Sequence, residues 1–240
     1  MKIYQTPDIR IVPWDNREDP KHHVTHAIVS GEEGQPGFEI FKTARSLEEA
    51  TLYVSNYLNY GIHALFPSEA SKYLHKVMPY LEKPCLDLGS GGYAVADFVI
   101  QVEQNSDAFN VYTGGRKPDA PIQVHGDILN LPFKDDTIGS VFASHLIEDW
   151  TRDKWPAFFT EWKRVLKPGG YLVVLVPERA RWWHCINEFG QVHNCSHANG
   201  EPLLGDVTQA AEKVGLSVLS ERLTEAFPWD YSILAILKKC

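Results

Sequence analysis

From Pro84 onward, short apolar runs alternate with stretches of helical periodicity, and that alternation leaves few folds open to the chain. CLDL (Cys85–Leu88), FVIQV (Phe98–Val102), PIQVH (Pro121–His125), SVFAS (Ser140–Ser144) and YLVVLV (Tyr171–Val176) are too short for helices. Their aliphatic and β-branched content suits strands buried on both faces. Helical spacing is predicted over 153–166 and again over 207–214, and LSVLS and SILAILKK then supply two closing strands. Strands separated by helices pair in parallel. The expected class is α/β, a doubly wound, mostly parallel seven-stranded sheet occupying residues 81–240.

Residues 1–80 read as an N-terminal helical extension. A strand-like KIYQTPDIRIV leads into a polar stretch holding His22, His23, His26, Gly31, Gly34 and Gly37, which predicts loop. Ser46 followed by Glu49 is a capping-box pattern, with Leu47, Ala50, Val54, Tyr57 and Leu58 at helical spacing behind it. A second helix is predicted from Ser68, burying Ala70, Tyr73, Leu74, Val77 and Leu81.

Composition narrows the partners. With 240 residues and 44% hydrophobic content the chain supports one substantial core. A net charge of −8, with both signs mixed along the chain, disfavours nucleic acid. Arg164, Lys167, Arg179 and Arg181 form the only basic cluster, and solvating a helix and a loop accounts for it. Cys85, Cys185, Cys195 and Cys240 make no CxxC pair, which fits a reducing, cytoplasmic setting. The opening residues lack the apolar run of a signal peptide, and Leu172–Val176 is far too short to span a bilayer, so no membrane partner is expected.

The chemistry concentrates in CLDLGSGG. An apolar strand carries Asp87 near its carboxyl end and runs into Gly89, Ser90 and Gly91, where open α/β sheets bind ligands. A glycine turn alone serves structural strand ends equally well. Three further segments follow in order: VHGDILNLPF with Asp127, GSVFASHLIEDW with His145 and Glu148, and WKRVLKPGGYLVVLVP. With these four segments, residues 84–177 resemble the class I S-adenosylmethionine-dependent methyltransferases, in the broad group with a GDxxxLPF segment and an RVLKPGG turn. The GxGxxG spacing of a dinucleotide-binding domain is missing.

The resemblance implies a Rossmann-like methyltransferase fold with S-adenosyl-L-methionine as cofactor. Asp87, Gly89, Ser90 and Gly91 then hold its amino-acid part, Glu103 its ribose hydroxyls, and Asp127 and Ile128 its adenine. Glu103 holds that place if Phe98–Val102 is the second strand. Val95, Phe98, Val99 and Val102 also fit a helix over 94–104, in which case FNVYT takes its place. Asp127 also reads as a turn aspartate.

Departures from the family pattern are Gly92-Tyr93 at the third glycine, a short connection to the second strand, and Ile138-Gly139 where an apolar residue and aspartate are common. Methyl transfer from a sulfonium is an in-line displacement that asks mainly for alignment and exclusion of water. His145 is the candidate base and lines both cofactor and acceptor, although packing or positioning would equally explain it. Residues 178–200 are expected to be a loop over the acceptor pocket, with Glu148, Trp182, Trp183 and His184 touching the acceptor. His193, Cys195 and His197, with Cys185 or His184, are metal-binding types, but their spacing matches no strong zinc motif and no metal is expected. The expected acceptor is a small molecule or glycan-type hydroxyl or amine. The competing readings are a non-catalytic binding or scaffold protein and an enzyme acting on protein or RNA.

Overall fold

The computed structural model describes residues 9–13, 26–30, 33, 39–60, 69–104, 123–189, 197, 200–225 and 227–240. The chain divides into two units, Met1–Leu74 and His75–Cys240.

In the first unit β1 (Ile9–Pro13), β2 (His26–Ser30) and β3 (Glu39–Ala44) form an antiparallel sheet in the order β1-β2-β3, followed by α1 (Leu47–Tyr60). Half of the capping box is present, and the Glu49 carboxylate reaches the residue before the Ser46 cap instead of the cap itself. Ser46 Oγ accepts from the Glu49 N–H at 3.1 Å, and the Glu49 carboxylate accepts from the Arg45 N–H at 2.7 Å. The buried face of α1 differs from expectation: Leu47 and Leu58 are exposed, whereas Glu49, Ala50, Tyr53, Asn56 and Tyr57 are buried. Polar residues hold that face because they find partners inside. Asn56 donates to the Ser71 carbonyl at 3.1 Å, and the Tyr53 hydroxyl donates to Glu49 at 3.1 Å. The predicted second helix is broken up. Residues Glu69–Tyr73 form a 3-10 turn, α2 spans only Leu74–Val77, and Met78–Tyr80 is 3-10 again. Pro79 has no N–H to continue an α-helix, which ends α2 at Val77. Ser68, His22, His23, Gly31, Gly34 and Gly37 lie outside the described residues.

The second unit contains the seven-stranded sheet, in the order β6-β5-β4-β7-β8-β10-β9. The strands are β4 (Cys85–Leu88), β5 (Ile100–Glu103), β6 (Val124–His125), β7 (Ile138–Ser144), β8 (Leu166–Pro177), β9 (Ser217–Leu223) and β10 (Ser232–Lys238). β4 to β8 pair in parallel, and β10 runs antiparallel to both β8 and β9. Ile100–Glu103 is strand, so Glu103 does end the strand beside β4. FNVYT lies outside the described residues, as do Pro121 and Ile122 of PIQVH.

Among the described residues, three α-helices accompany the sheet: α3 (Trp155–Val165), α4 (Arg179–Phe189) and α5 (Asp206–Lys213). Trp155, Phe158, Phe159, Trp162 and Val165 form the apolar stripe of α3, and all are fully buried. They pack with Leu86, Leu88, Val141, Leu172, Val174 and the Val207–Ala211 face of α5. Each such side chain withdrawn from water contributes roughly 1.5–3 kcal/mol. Alternate strand residues, among them Cys85, Phe142, Val173, Leu175 and Ile236, are buried as well. Residues 179–189 are therefore helix rather than the expected loop. Their apolar positions are few, but Trp182 and Cys185, one turn apart, are both buried.

Two departures noted in the sequence have structural causes. The connection from β4 to β5 contains no helix: only Gly89 to Val99 join them, with Ala94, Val95, Ala96 and Val99 buried along it. Gly139 stands where the chain crosses the start of β7. A Cβ there would lie 2.6 Å from the Glu82 carbonyl oxygen and 2.7 Å from that of Lys83, while the Gly139 N–H donates to the Pro84 carbonyl at 2.7 Å. An aspartate has no room at this crossing. Gly139→Ala is expected to lower unfolding stability by about 1–3 kcal/mol through overpacking against backbone, measured as a fall in the urea midpoint without a change in slope.

Candidate functional site at the reversal of strand order

The chain leaves β4 toward β5 and β6, but leaves β7 toward β8, so the order reverses between β4 and β7. Ligands bind outside the carboxyl ends of the strands at such a reversal. The glycine turn follows β4 there and His145 follows β7. The two touch, since a Cβ on Gly89, which has φ +68°, would come 2.7 Å from the Leu146 side chain. A Cβ on Gly91 would meet nothing within 4 Å, so the turn is open on that side.

Two carboxylates bond this turn and the stretch after it. Asp87 is buried and its Oδ2 accepts from the Val95 N–H at 2.7 Å. Glu103 accepts from the Gly91 N–H at 2.5 Å through Oε1. Ser90 donates its hydroxyl to Gln101 Oε1 at 2.8 Å and accepts from the Gly92 N–H at 3.3 Å, so it braces the turn from within. Burial pushes the Asp87 carboxyl up to about 8; the Val95 bond opposes this and the Glu103 charge adds to it. Burial likewise raises Glu103, against the Gly91 bond and the charge of His125. Asp127 is exposed after β6 and its Oδ1 accepts from the Leu129 N–H at 2.9 Å, a turn bond. Ile128 beside it is buried, with its carbonyl held by the Trp162 indole N–H at 3.0 Å.

On the other side of the reversal His145 sits at φ +51°, a conformation uncommon outside glycine. Its backbone N–H donates to the Leu175 carbonyl at 2.9 Å. The ring is held from both ends, with Nδ1 3.3 Å from Glu148 Oε1 and Nε2 3.2 Å from Ser232 Oγ. Tyr231 meets it edge-on at 5.6 Å. Trp182 is buried, 4.8 Å from the Tyr231 ring and 5.5 Å from that of His197. Trp183 and His184, on the same helix, are exposed, so the three residues grouped by sequence do not share one surface.

Several groups here escaped the sequence reading. Asp149 adjoins Glu148, and burial pushes its carboxyl up to about 6, the Glu148 charge adding to this while His197 and His145 oppose it. His197 pairs with Glu201 at 3.2 Å, with both side chains buried. The acidic pair in IEDW was the one available signal for Asp149; Tyr231, Ser232 and Glu201 arrive only through the fold. Cys185 is buried and directs its thiol to the Trp229 carbonyl at 3.2 Å, and His193 and Cys195 lie outside the described residues. Among the described residues no group of three or more His, Cys, Asp or Glu is arranged to hold a metal ion.

A family model described as a methyltransferase domain matches residues 86–174. Comparison with curated proteins gave no match. Among solved structures, an S-adenosylmethionine-dependent methyltransferase from Mesorhizobium loti is 13% identical, with 72% of this chain and 99% of that one covered at a TM-score of 0.51. A second, from Thermotoga maritima, is 16% identical, with 81% and 100% covered at a TM-score of 0.51. The fold is the Rossmann-like methyltransferase fold.

A carboxyl raised from 3.8 to about 8 favours the folded state at low pH, and this contribution disappears as pH rises from about 4 through 8. Asp87→Asn keeps an oxygen for the Val95 N–H and removes the buried charge. Urea unfolding at pH 5, 7 and 9 is expected to show the variant gaining on the parent as pH rises, by on the order of 2–5 kcal/mol at the top of the range. A pH-independent difference would mean that Asp87 is ionised throughout.

Proposed function

We propose that this chain transfers a methyl group from S-adenosyl-L-methionine to a small-molecule acceptor. The observation that carries the reading is the set of carboxylates Asp87, Glu103 and Asp127, one at the carboxyl end of each of three neighbouring parallel strands or in the turn after it, with Glu103 bonded to the glycine turn and Asp87 to the stretch that follows it. The cofactor supplies a methyl carbon already activated by a sulfonium. Its ammonium and its diol suit these residues: Asp87 and the Gly89–Gly91 turn would hold the amino-acid end, and Glu103 would accept from the ribose hydroxyls with the oxygen that Gly91 does not use. Asp127 and Ile128 would hold the adenine, Asp127 as acceptor and Ile128 as apolar surface. Among the described residues buried Asp87 has no cation partner, which is costly, and a cationic ligand end removes that cost.

The acceptor belongs on the His145 side. Glu148 on Nδ1 and Ser232 on Nε2 fix the imidazole, so it presents one edge and can take or relay a proton there. Glu148 acts through His145 as well as toward the acceptor. A net charge of −8 favours a small molecule over nucleic acid. Among the described residues no helix is long and apolar enough to cross a membrane.

Calorimetric titration with S-adenosylmethionine and S-adenosylhomocysteine tests the reading. Binding in the micromolar range, on the order of −8 kcal/mol, is expected, with loss in both Asp87→Ala and Glu103→Ala. Titration in buffers of different ionisation enthalpy at pH 6.5 is expected to reveal proton release, because the bound ammonium draws Asp87 into its charged form. Absence of heat and of any thermal shift at high ligand would leave a non-catalytic binding or scaffold protein as the better account.

A further inference from the structure

Among the described residues, the His145 side of the reversal holds more negative charge than the side chains around it neutralise. Glu148, Asp149 and Glu201 bring three carboxylates to the neighbourhood of two imidazoles, His145 at 3.3 Å from Glu148 and His197 at 3.2 Å from Glu201. Protonating both imidazoles would still leave one carboxylate over. Arg152 reaches the Glu201 backbone carbonyl at 2.7 Å, but its charge is matched by Asp206 at 2.6 Å.

A second observation does not depend on counting charges. The Glu148 side chain is 1% exposed, and beyond the 3.3 Å approach of His145 Nδ1 to Oε1, too poorly aligned to be a hydrogen bond, neither of its oxygens has a donor. The buried indole N–H of Trp182 makes no hydrogen bond either. Buried carboxylates ordinarily have hydrogen-bond donors, and among the described residues Glu148 has only the edge of His145. Two aromatic rings flank the two imidazoles, since Tyr231 contacts His145 and Trp182 contacts both Tyr231 and His197. Carboxylates combined with tryptophan and tyrosine faces recognise an organic cation.

We infer that the methyl acceptor is an amine that enters as a cation, held by the Glu148 and Asp149 carboxylates against Trp182 and Tyr231. This rests on the methyl-transfer reading above and names its substrate class. An alcohol would bring no charge to Glu148, and a carboxylate substrate would be repelled. The ammonium first gives one proton to Asp149 or His145. The nitrogen lone pair then forms the N–CH3 bond as the C–S bond breaks, the bonding pair stays on sulfur, and the positive charge passes to nitrogen. The carboxylates thus meet a cation on entry and in the product, and they stabilise the charge that develops on nitrogen in between. Asp149, raised by burial, is suited to accept that proton near neutral pH.

The test uses matched probes: phenethylamine, 2-phenylethanol and phenylacetate, with benzylamine and tyramine and their alcohol counterparts as a second and third set. Binding is read by tryptophan fluorescence and thermal shift, with and without S-adenosylhomocysteine. At least one amine is expected to bind about tenfold more tightly than its alcohol, and its carboxylate not at all. Glu148→Gln and Asp149→Asn should each erase that preference, whereas Glu225→Gln, at an exposed carboxylate paired with Arg181, should keep it. Circular dichroism confirms that each variant is folded. Equal binding of amine and alcohol, a preference that survives both substitutions, or no binding by any amine overturns the inference. Failure of S-adenosylhomocysteine to bind while the amine preference persists would sink the methyl-transfer reading instead.

Discussion

Adjacent parallel strands whose chains depart in opposite directions cannot fill the space between their ends with their own connections. That gap between β4 and β7 organises the C-terminal unit. Residues that leave β4 must turn within a few positions, which calls for glycine. Residues that leave β7 must turn the other way, which puts His145 in a left-handed conformation. Leu146 against Gly89 joins the two turns, so a change in either is felt by the other. The glycine turn with its carboxylates and the segment that carries His145 therefore lie on opposite sides of the reversal.

The core reaches these two sides through two tryptophans. Trp155 and Trp162 bury their rings in the packing of α3 and direct their indole N–H groups to the carbonyls of Ile147 and Ile128, at 2.8 and 3.0 Å. Ile147 belongs to the segment carrying Glu148 and Asp149, and Ile128 follows Asp127. The bulkiest apolar residues thus fix the backbone of two site loops, which gives preorganisation without a metal or a disulfide in the described residues. Arg164 has a similar part further out, donating to the Leu131 and Phe133 carbonyls at 3.1 and 2.9 Å while bound by Glu161.

Much of this was legible in the sequence because it is local. The strands from Cys85 to Val176 announce themselves by short apolar runs, the α3 stripe by its period, and the Ser46 cap by its Glu49 partner. Helix α4 was not legible, since Trp, His, Cys and Asn in residues 179–189 give little apolar periodicity and only the tertiary burial of Trp182 and Cys185 holds it. The face of α1 was misjudged for a related reason: Asn56 and Glu49 go inside because specific carbonyl and hydroxyl partners wait there, and hydrophobicity carries no trace of those partners. At the candidate site, Asp87, Glu103 and His145 were visible from their places at strand ends. Ser232, Tyr231, His197 and Glu201, which gather beside His145 and Asp149, come from segments more than fifty residues beyond His145 in the chain.

The helix-free passage from β4 to β5 changes what holds that edge of the sheet in register. A crossover helix is stiff and sets the offset between its two strands by its own length. Here the offset of Leu86 against Ile100 is kept by a few buried small residues and by the bonds from Val95 to Asp87 and Gly91 to Glu103. Strand side chains alternate faces, so a slip of one residue would carry Glu103 through the sheet to its opposite side. The two carboxylates therefore act as alignment pins for the strand pair, and chemistry and register cannot be varied independently at this edge.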